Sequence, residues 1–228
     1  GVIRSLAADE KVRGIVIASA KKSFVVGGDL NELKALNTPE EAARSIKMVQ
    51  SCLRDLELVP KPVVAAINGL ALGGGLEVAL ACNYRIVAED PRLKLGLPEV
   101  SLGLIPGAGG TQRLPRLIGL AAALPILLED RQVTGARALE IGLVDEIVSA
   151  SELKTRSKEA ILSSMALPRQ PWEGEGFVMP GASLTSDEGQ EILATYWVKA
   201  RRRKPGLEPA PDAILTAVET GLKLPIEA

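Results

Sequence analysis

Three glycine-bearing turns carry the chemistry that this sequence can offer: Val26-Gly27-Gly28-Asp29, Gly73-Gly74-Gly75-Leu76-Glu77 and Pro106-Gly107-Ala108-Gly109-Gly110. Glycine-rich turns that open helices present free backbone N–H groups and the positive end of the helix dipole, which suit a phosphate or a developing oxyanion. Two acids accompany them. Glu77 follows the triple glycine in the first turn of an apolar helical pattern, and Glu99 sits among Leu95, Leu97, Val100 and Leu102, a setting that desolvates a carboxylate and raises its pKa. The chain has no histidine. That excludes Ser-His-Asp and Cys-His catalysis, HExxH metal sites and imidazole proton shuttles, and leaves acid–base work to carboxylates, Lys, Tyr or backbone amides. Two carboxylates on separate turns beside backbone donors form a candidate acid–base pair. Each feature also has a plain structural explanation: glycine permits close packing of strand on helix, and an acid in a first helical turn stabilises by about 0.3 to 1 kcal/mol without any catalytic role. Neither GxGxxG nor GxxxxGK[ST] occurs, so a dinucleotide or P-loop reading is weak.

The elements that must hold these turns alternate. Val12 to Ser19 is a β-branched run of strand length after a short helical pattern, and Ser23 to Leu30 is a second extended piece broken by Gly27 and Gly28. Thr38 with Pro39, Glu40 and Glu41 is an N-cap signature for a helix to about Leu58. Pro62 to Gly69 reads as a buried strand, followed by a helix from about Gly74 to Asn83 and a strand in Tyr-Arg-Ile-Val-Ala-Glu-Asp. Leu95 to Gly119 is loop-rich, the Pro-Gly-Ala-Gly-Gly-Thr turn opens another helix, and Pro125 is expected to kink the helical stretch that follows. A short helix then turns at Gly142 into a strand ending near Ser149. From Ser151 the pattern is helix only, over about Glu152 to Ala166, Glu188 to Arg203 and Pro211 to Leu224. Strands alternating with helices, then helices alone, predict an α/β core with a helical C-terminal portion.

At 228 residues and 46% apolar content the chain can bury a sizeable core. Its net charge of −1 gives no field for nucleic acid or an anionic membrane, and the basic run Lys199 to Pro205 reads as a solvated helix end that complements the dipole. No stretch of about 18 uncharged apolar residues is present, since the candidate from Pro62 onward is interrupted by Asn68, glycines and Glu77, so no membrane span is expected. Nothing at the start reads as a signal peptide. Cys52 and Cys82 lack metal-ligand spacing and read as reduced core residues of an intracellular protein. No metal site is expected.

Four stretches, Ser23 to Leu30, Asn68 to Ile86, Leu95 to Gly119 and Ala136 to Val148, resemble the enoyl-CoA hydratase/isomerase (crotonase) family in order and separation, over about Val12 to Ser149. The resemblance implies a ClpP/crotonase-type core of repeated ββα units in residues 1–150, with a preceding hairpin segment that binds the CoA adenine apparently missing. Residues 151–228 would be a helical region and linker. The stretch with Pro171-Trp172, Lys199 to Pro205 and Pro209 to Pro225 is similar, more loosely, to the tail of the hydratase half of multifunctional fatty-acid oxidation proteins, ahead of their absent NAD-dependent 3-hydroxyacyl-CoA dehydrogenase half.

Carried over residue by residue, the resemblance makes the Gly28 and Gly74 amides an oxyanion hole for a thioester carbonyl. It makes Glu99 the proton donor and Glu77 the water-positioning base, roles that two coupled carboxylates can share. Val26, Gly28, Asp29, Leu30, Asn31 and Gly74 match the substrate-contacting positions, and Gly103, Pro106 and Gly107 would line the acyl pocket. The implied reaction is hydration of a 2-trans-enoyl-CoA in fatty-acid β-oxidation, with Δ3-Δ2 isomerisation as a possible second activity and coenzyme A present only as part of the substrate. Isomerisation alone, or a non-catalytic RNA-binding or scaffold role for which only the Arg201-Arg202-Arg203 run speaks, are the alternatives. A homo-oligomer or a covalently linked dehydrogenase domain is the implied partner, with a bacterial cytoplasmic location, or a peroxisomal or mitochondrial one in a eukaryote.

Overall fold

The computed structural model of the chain describes residues 1–28, 34–202 and 209–226. After a first helix, α1 (Val2–Ala8), the chain repeats one unit: a strand of a larger sheet, a two-residue strand of a smaller sheet, then a helix. The first unit is β1 (Ile15–Ala18), β2 (Val25–Val26) and α2 (Pro39–Glu57), and the second is β3 (Val63–Ile67), β4 (Ala71–Leu72) and α3 (Gly74–Ala81). In the third, β5 (Tyr84–Ala88) and β6 (Leu95–Gly96) lead through a 3₁₀ helix at Pro98–Leu102 into α4 (Gly110–Ile118). α5 (Leu120–Leu128), α6 (Gly135–Glu140), β7 (Glu146–Val148) and α7 (Leu153–Leu162) follow, then α8 (Asp187–Arg202) and α9 (Ala210–Gly221).

Both sheets are parallel throughout, ordered β1-β3-β5-β7 and β2-β4-β6. The central strand β3 is buried at every residue, as a strand covered on both faces must be. Its side chains alternate: Val63, Ala65 and Ile67 enter the main core with Leu76, Leu80 and Leu114, while Val64 and Ala66 join Ile86, Leu153 and Ala160 under α7. Leu193 of α8 and Ile214, Leu215 and Val218 of α9 belong to the same main core, so the C-terminal helices close the site-bearing half from outside.

The repeated ββα core and the helical C-terminal portion are as expected from the sequence. Thr38 caps α2 by accepting from the Glu41 amide, while Glu41 reaches back to the Asn37 amide. Several details differ. β4 falls between the strand expected over Pro62 to Gly69 and the helix expected from Gly74, and β6 within the stretch expected to be loop-rich, because two residues are too few to show a period. The helix expected over Glu152 to Ala166 stops at Leu162, just before Ser164 turns to φ +59°. Pro125 lies inside α5, and the actual break between helices falls at Gly119, with φ +78°. Cys82 is buried, but Cys52 is exposed on the outer face of α2 and is no core residue.

The triple glycine divides its labour. Gly73 takes φ +57°, a conformation that a side chain resists, and a β-carbon there would lie 2.8 Å from Glu99 Oε1. At Gly75 a β-carbon would fall 2.0 Å from the Val25 carbonyl oxygen, so this residue lets α3 rest on β2. At Gly74 the nearest atoms would be at 3.8 to 3.9 Å, an ordinary contact. The expected outcome is that Gly75→Ala costs about 3 kcal/mol or more through backbone overpacking, whereas Gly74→Ala leaves the melting temperature within a few degrees. Thermal melts of the two variants side by side check this.

Candidate active site

The smaller sheet sets the site. Val25, Ala71 and Leu95 are in register across its three strands, as are Val26, Leu72 and Gly96. The ladder runs one step beyond the strands, because the Gly27 amide donates to Leu72 O at 2.7 Å and the Gly73 amide to Gly96 O at 2.9 Å. Gly28, Gly74 and Pro98 therefore leave the carboxyl ends of three adjacent parallel strands together, where open α/β sheets place their ligands. Glu99 follows one residue later.

Gly74 opens α3, with Leu76 and Glu77 both donating to Gly73 O. No described residue accepts from the Gly28 or the Gly74 amide. The two lie side by side, since the β-carbon position of Gly74 is 3.9 Å from Gly28 N. Two adjacent amides without an accepting partner, one of them at a helix N-terminus, offer hydrogen-bond donors that suit an anionic oxygen.

Glu77 is 3% exposed, and its Oε1 accepts the Gly110 amide at 2.8 Å. Burial pushes its carboxyl up to about 7; the Gly110 amide opposes this, the charge of Glu99 adds to it, and the Ala108 amide and the Arg113 charge oppose it again. Around Gly110 the side chains of Leu97, Glu77 and Pro106 close in, each about 3 Å from its β-carbon position. Glu99 lies against Gly73 and is partly buried, with Oε2 enclosed and without a hydrogen-bond partner. Its carboxyl is raised first by burial, opposed by its own backbone amide, and raised further by the charge of Asp130.

Helix α3 is held rigidly beneath Glu77. Its C-terminal carbonyls are taken up by Gln170 Nε2, which reaches Ala81 O and Cys82 O at 3.1 Å each, and by Arg85 Nη1, at 2.7 Å from Cys82 O. Buried polar side chains thus satisfy a buried helix end.

The sequence-derived site residues Gly28, Gly74, Glu77 and Glu99 are brought together, with Val26 exposed at their edge. Asp29, Leu30 and Asn31 lie outside the described residues. Pro106 is buried beside Glu77, whereas Gly107 faces Ile46 of α2 and Gly103 is an exposed left-handed residue ending the 3₁₀ helix. Asp130 escaped the sequence reading. It is a non-glycine residue at φ +52°, it accepts from Ser101 Oγ at 2.9 Å, and it comes from α5's C-terminal turn, far from Glu99 in sequence. The amide of Gly110 was legible as a turn donor, but its acceptor was not. Cavities of about 250, 540 and 370 Å³ lie elsewhere, and none is lined by the two glutamates or the two free amides. The chemistry is located by donors and acids, not by volume. Among the described residues no cluster of three potential metal ligands occurs, and no helix is long and apolar enough to cross a membrane.

The profile described as enoyl-CoA hydratase/isomerase matches residues 1–169. The chain belongs to the enoyl-CoA hydratase/isomerase family. Among solved structures it is similar to an enoyl-CoA hydratase from Geobacillus kaustophilus HTA426, with 36% identity and a TM-score of 0.68 over 71% of this chain and 61% of that one. The chain thus spans less than two thirds of that relative's length. An enoyl-CoA hydratase from Bacillus anthracis gives 31% identity and a TM-score of 0.69 over 96% and 83%. Pseudomonas aeruginosa DspI gives 27% and 0.67 over 96% and 81%.

Two outcomes test the electrostatics. The unfolded Glu77 carboxyl near 4.5 and the folded one near 7 mean that the folded chain binds more protons between those values. Stability therefore falls as pH rises from about 4.5 to 7, by up to roughly 3 kcal/mol, with Glu99 adding a loss of the same sign. Denaturant titrations across that range check it, and Glu77→Gln should remove most of the slope. Asp130→Asn keeps an acceptor for Ser101 and a residue that tolerates positive φ, so stability should change by less than about 1 kcal/mol. Loss of the charge should lower the titration midpoint of Glu99 in carboxyl carbon NMR.

Proposed function

We propose that this chain is an enoyl-CoA hydratase that adds water across the double bond of a 2-trans-enoyl-CoA to give the 3-hydroxyacyl-CoA. The observation that carries the reading is the meeting of two free amides, Gly28 and Gly74, with two carboxylates whose proton affinity is raised, at one sheet end. The thioester carbonyl oxygen accepts both amides, which stabilise the negative charge that develops on it as water attacks the β-carbon; one such donor contributes about 2.7 to 4 kcal/mol. Glu77, oriented by the Gly110 amide, takes a proton from the water. Glu99, whose Oε2 is otherwise unpartnered, delivers a proton to the α-carbon. One water is consumed, and no cofactor is needed beyond the coenzyme A carried by the substrate.

The working state is a pair holding one proton. Coupling between the carboxylates lets that proton sit on Glu99 while Glu77 receives one from the water. A bell-shaped pH profile follows, since the fully ionised pair lacks the acid and the doubly protonated pair lacks the base. A single carboxylate suffices to shuttle a proton along an acyl chain, so Δ3-Δ2 isomerisation is a compatible second activity. The family resemblance of the tail supports placement in fatty-acid β-oxidation, within a larger protein whose NAD-dependent half is another segment. The RNA-binding alternative finds little support: Lys199 bonds Glu129 at 3.0 Å and sits over Tyr196, and Arg201 lies over Trp197.

Loss of the enoyl thioester absorbance of crotonyl-CoA is the direct measurement. Glu99→Gln should lower kcat by 100-fold or more, on the order of a general acid's contribution. Gly74→Val should abolish turnover while the protein still folds. Wild type hydrating no faster than Glu99→Gln would end the hydratase reading.

A further inference from the structure

Behind the Glu77 carboxylate lies a buried ion pair that the reaction as described does not use. Glu57, the last residue of α2, is 2% exposed, and Arg113 of α4 is 5% exposed. Arg113 grips Glu57 with a fork, Nε to Oε1 at 3.1 Å and Nη2 to Oε2 at 3.0 Å, and Arg54 Nη1 adds a third bond to Oε2 at 2.8 Å. The remaining arm of the same guanidinium, Nη1, donates to Ala108 O at 2.9 Å. A β-carbon on Gly109 would fall 2.2 Å from that Nη1, so the turn is wrapped directly on the guanidinium. One residue earlier, Gln50 of α2 donates to Gly107 O at 2.7 Å. The next amide after this clamped stretch is that of Gly110, which Glu77 accepts.

A pair this deep is a poor device for stability alone, because the desolvation of both charges offsets their attraction, and apolar replacements of similar size commonly serve as well. Its geometry is specific in another way. The guanidinium fixes the carbonyl of Ala108, and Gln50 fixes that of Gly107, so the peptide planes leading to the Gly110 amide have little freedom left.

We propose that Glu57 and Arg113 are positioning residues which clamp the Gly107–Gly110 turn so that its amides meet the Glu77 carboxylate in the orientation that water activation requires. The inference rests on the acid–base reading of Glu77. Glu99 from the 3₁₀ helix and Arg113 from α4 are the charges that act on Glu77, and the amides of Gly110 and Ala108 are the dipoles. The clamp therefore has an electrostatic signature as well as a geometric one: the Arg113 charge favours ionised Glu77, and Glu57 partly neutralises that charge.

The test uses the full chain as wild type, Glu57→Gln, Arg113→Met, Arg113→Lys and the apolar double variant Glu57→Leu/Arg113→Met. Two readouts are taken: the pH profile of crotonyl-CoA hydration, and the titration midpoint of the Glu77 carboxyl by carbon NMR, assigned with Glu77→Gln. Arg113→Met should move both the acidic limb and the midpoint to higher pH, and Glu57→Gln should move both to lower pH. Arg113→Lys should return the midpoint towards wild type, since charge is kept, while kcat stays low because the fork to Glu57 and Ala108 is lost. The double variant, which keeps a packed core, should fold and still lose kcat by about 10- to 100-fold with KM little changed, the scale of a misplaced catalytic group. Wild-type kcat and an unmoved midpoint in the folded double variant would overturn the proposal. A midpoint that shifts as stated in a chain without hydratase activity would instead sink the reading of the reaction and leave the clamp standing.

Discussion

The register of three parallel two-residue strands is the constraint on which the site depends. With Val26, Leu72 and Gly96 paired across the smaller sheet, the residues that follow each strand emerge side by side, and Gly28, Gly74 and Glu99 are neighbours although they lie up to 71 positions apart in sequence. A slip of one residue in β4 would put Gly75 where Gly74 stands, turn Leu72 to the other face and carry α3 off its seat on Val25. So short a sheet cannot hold its own register. It is imposed by the larger sheet, whose strands β1, β3 and β5 enter the two-residue strands through short connections.

Burial and hydrogen bonding pull the acids in opposite directions, and the balance sets their usefulness. Desolvation alone would keep Glu77 protonated; the amides of Gly110 and Ala108 and the Arg113 charge restore enough ionisation to bring it near 7. Glu99, less enclosed and with one oxygen unpartnered, shares the pair's charge. Burial thus gives this chain, which has no histidine, two carboxyl groups of raised proton affinity.

Rigidity comes from outside the site. α3 is pinned at one end by close contact of Gly75 with β2 and at the other by Gln170 and Arg85, while α2 and α4 meet through Glu57 and Arg113. α9 packs over α4, and Arg116 reaches its terminal carbonyls at Gly221 and Leu224 at 2.9 and 2.8 Å. The layers behind the site are therefore joined by buried polar side chains as well as by apolar packing, which favours preorganised donors.

The sequence by itself determined a good deal. Apolar runs, the Thr38 cap and the glycine turns located most helices and the larger sheet, because those signals are local and periodic. The absence of histidine, with Glu77 and Glu99 beside glycine turns, narrowed the chemistry to carboxylates and amides. Tertiary structure decided the rest. Strands of two residues carry no period, so β4 and β6, and with them the juxtaposition of Gly28, Gly74 and Glu99, exist only through pairing. Which glycine of the triple is conformational, which is packed and which is left free depends on Val25 and Glu99, distant in the chain. The same holds for Cys52, exposed on a helix whose apolar pattern suggested burial, for Arg113 and Asp130, whose charges act on Glu77 and Glu99 only because folding brings them near and leaves little water to screen them, and for Glu57, which folding pairs with Arg113.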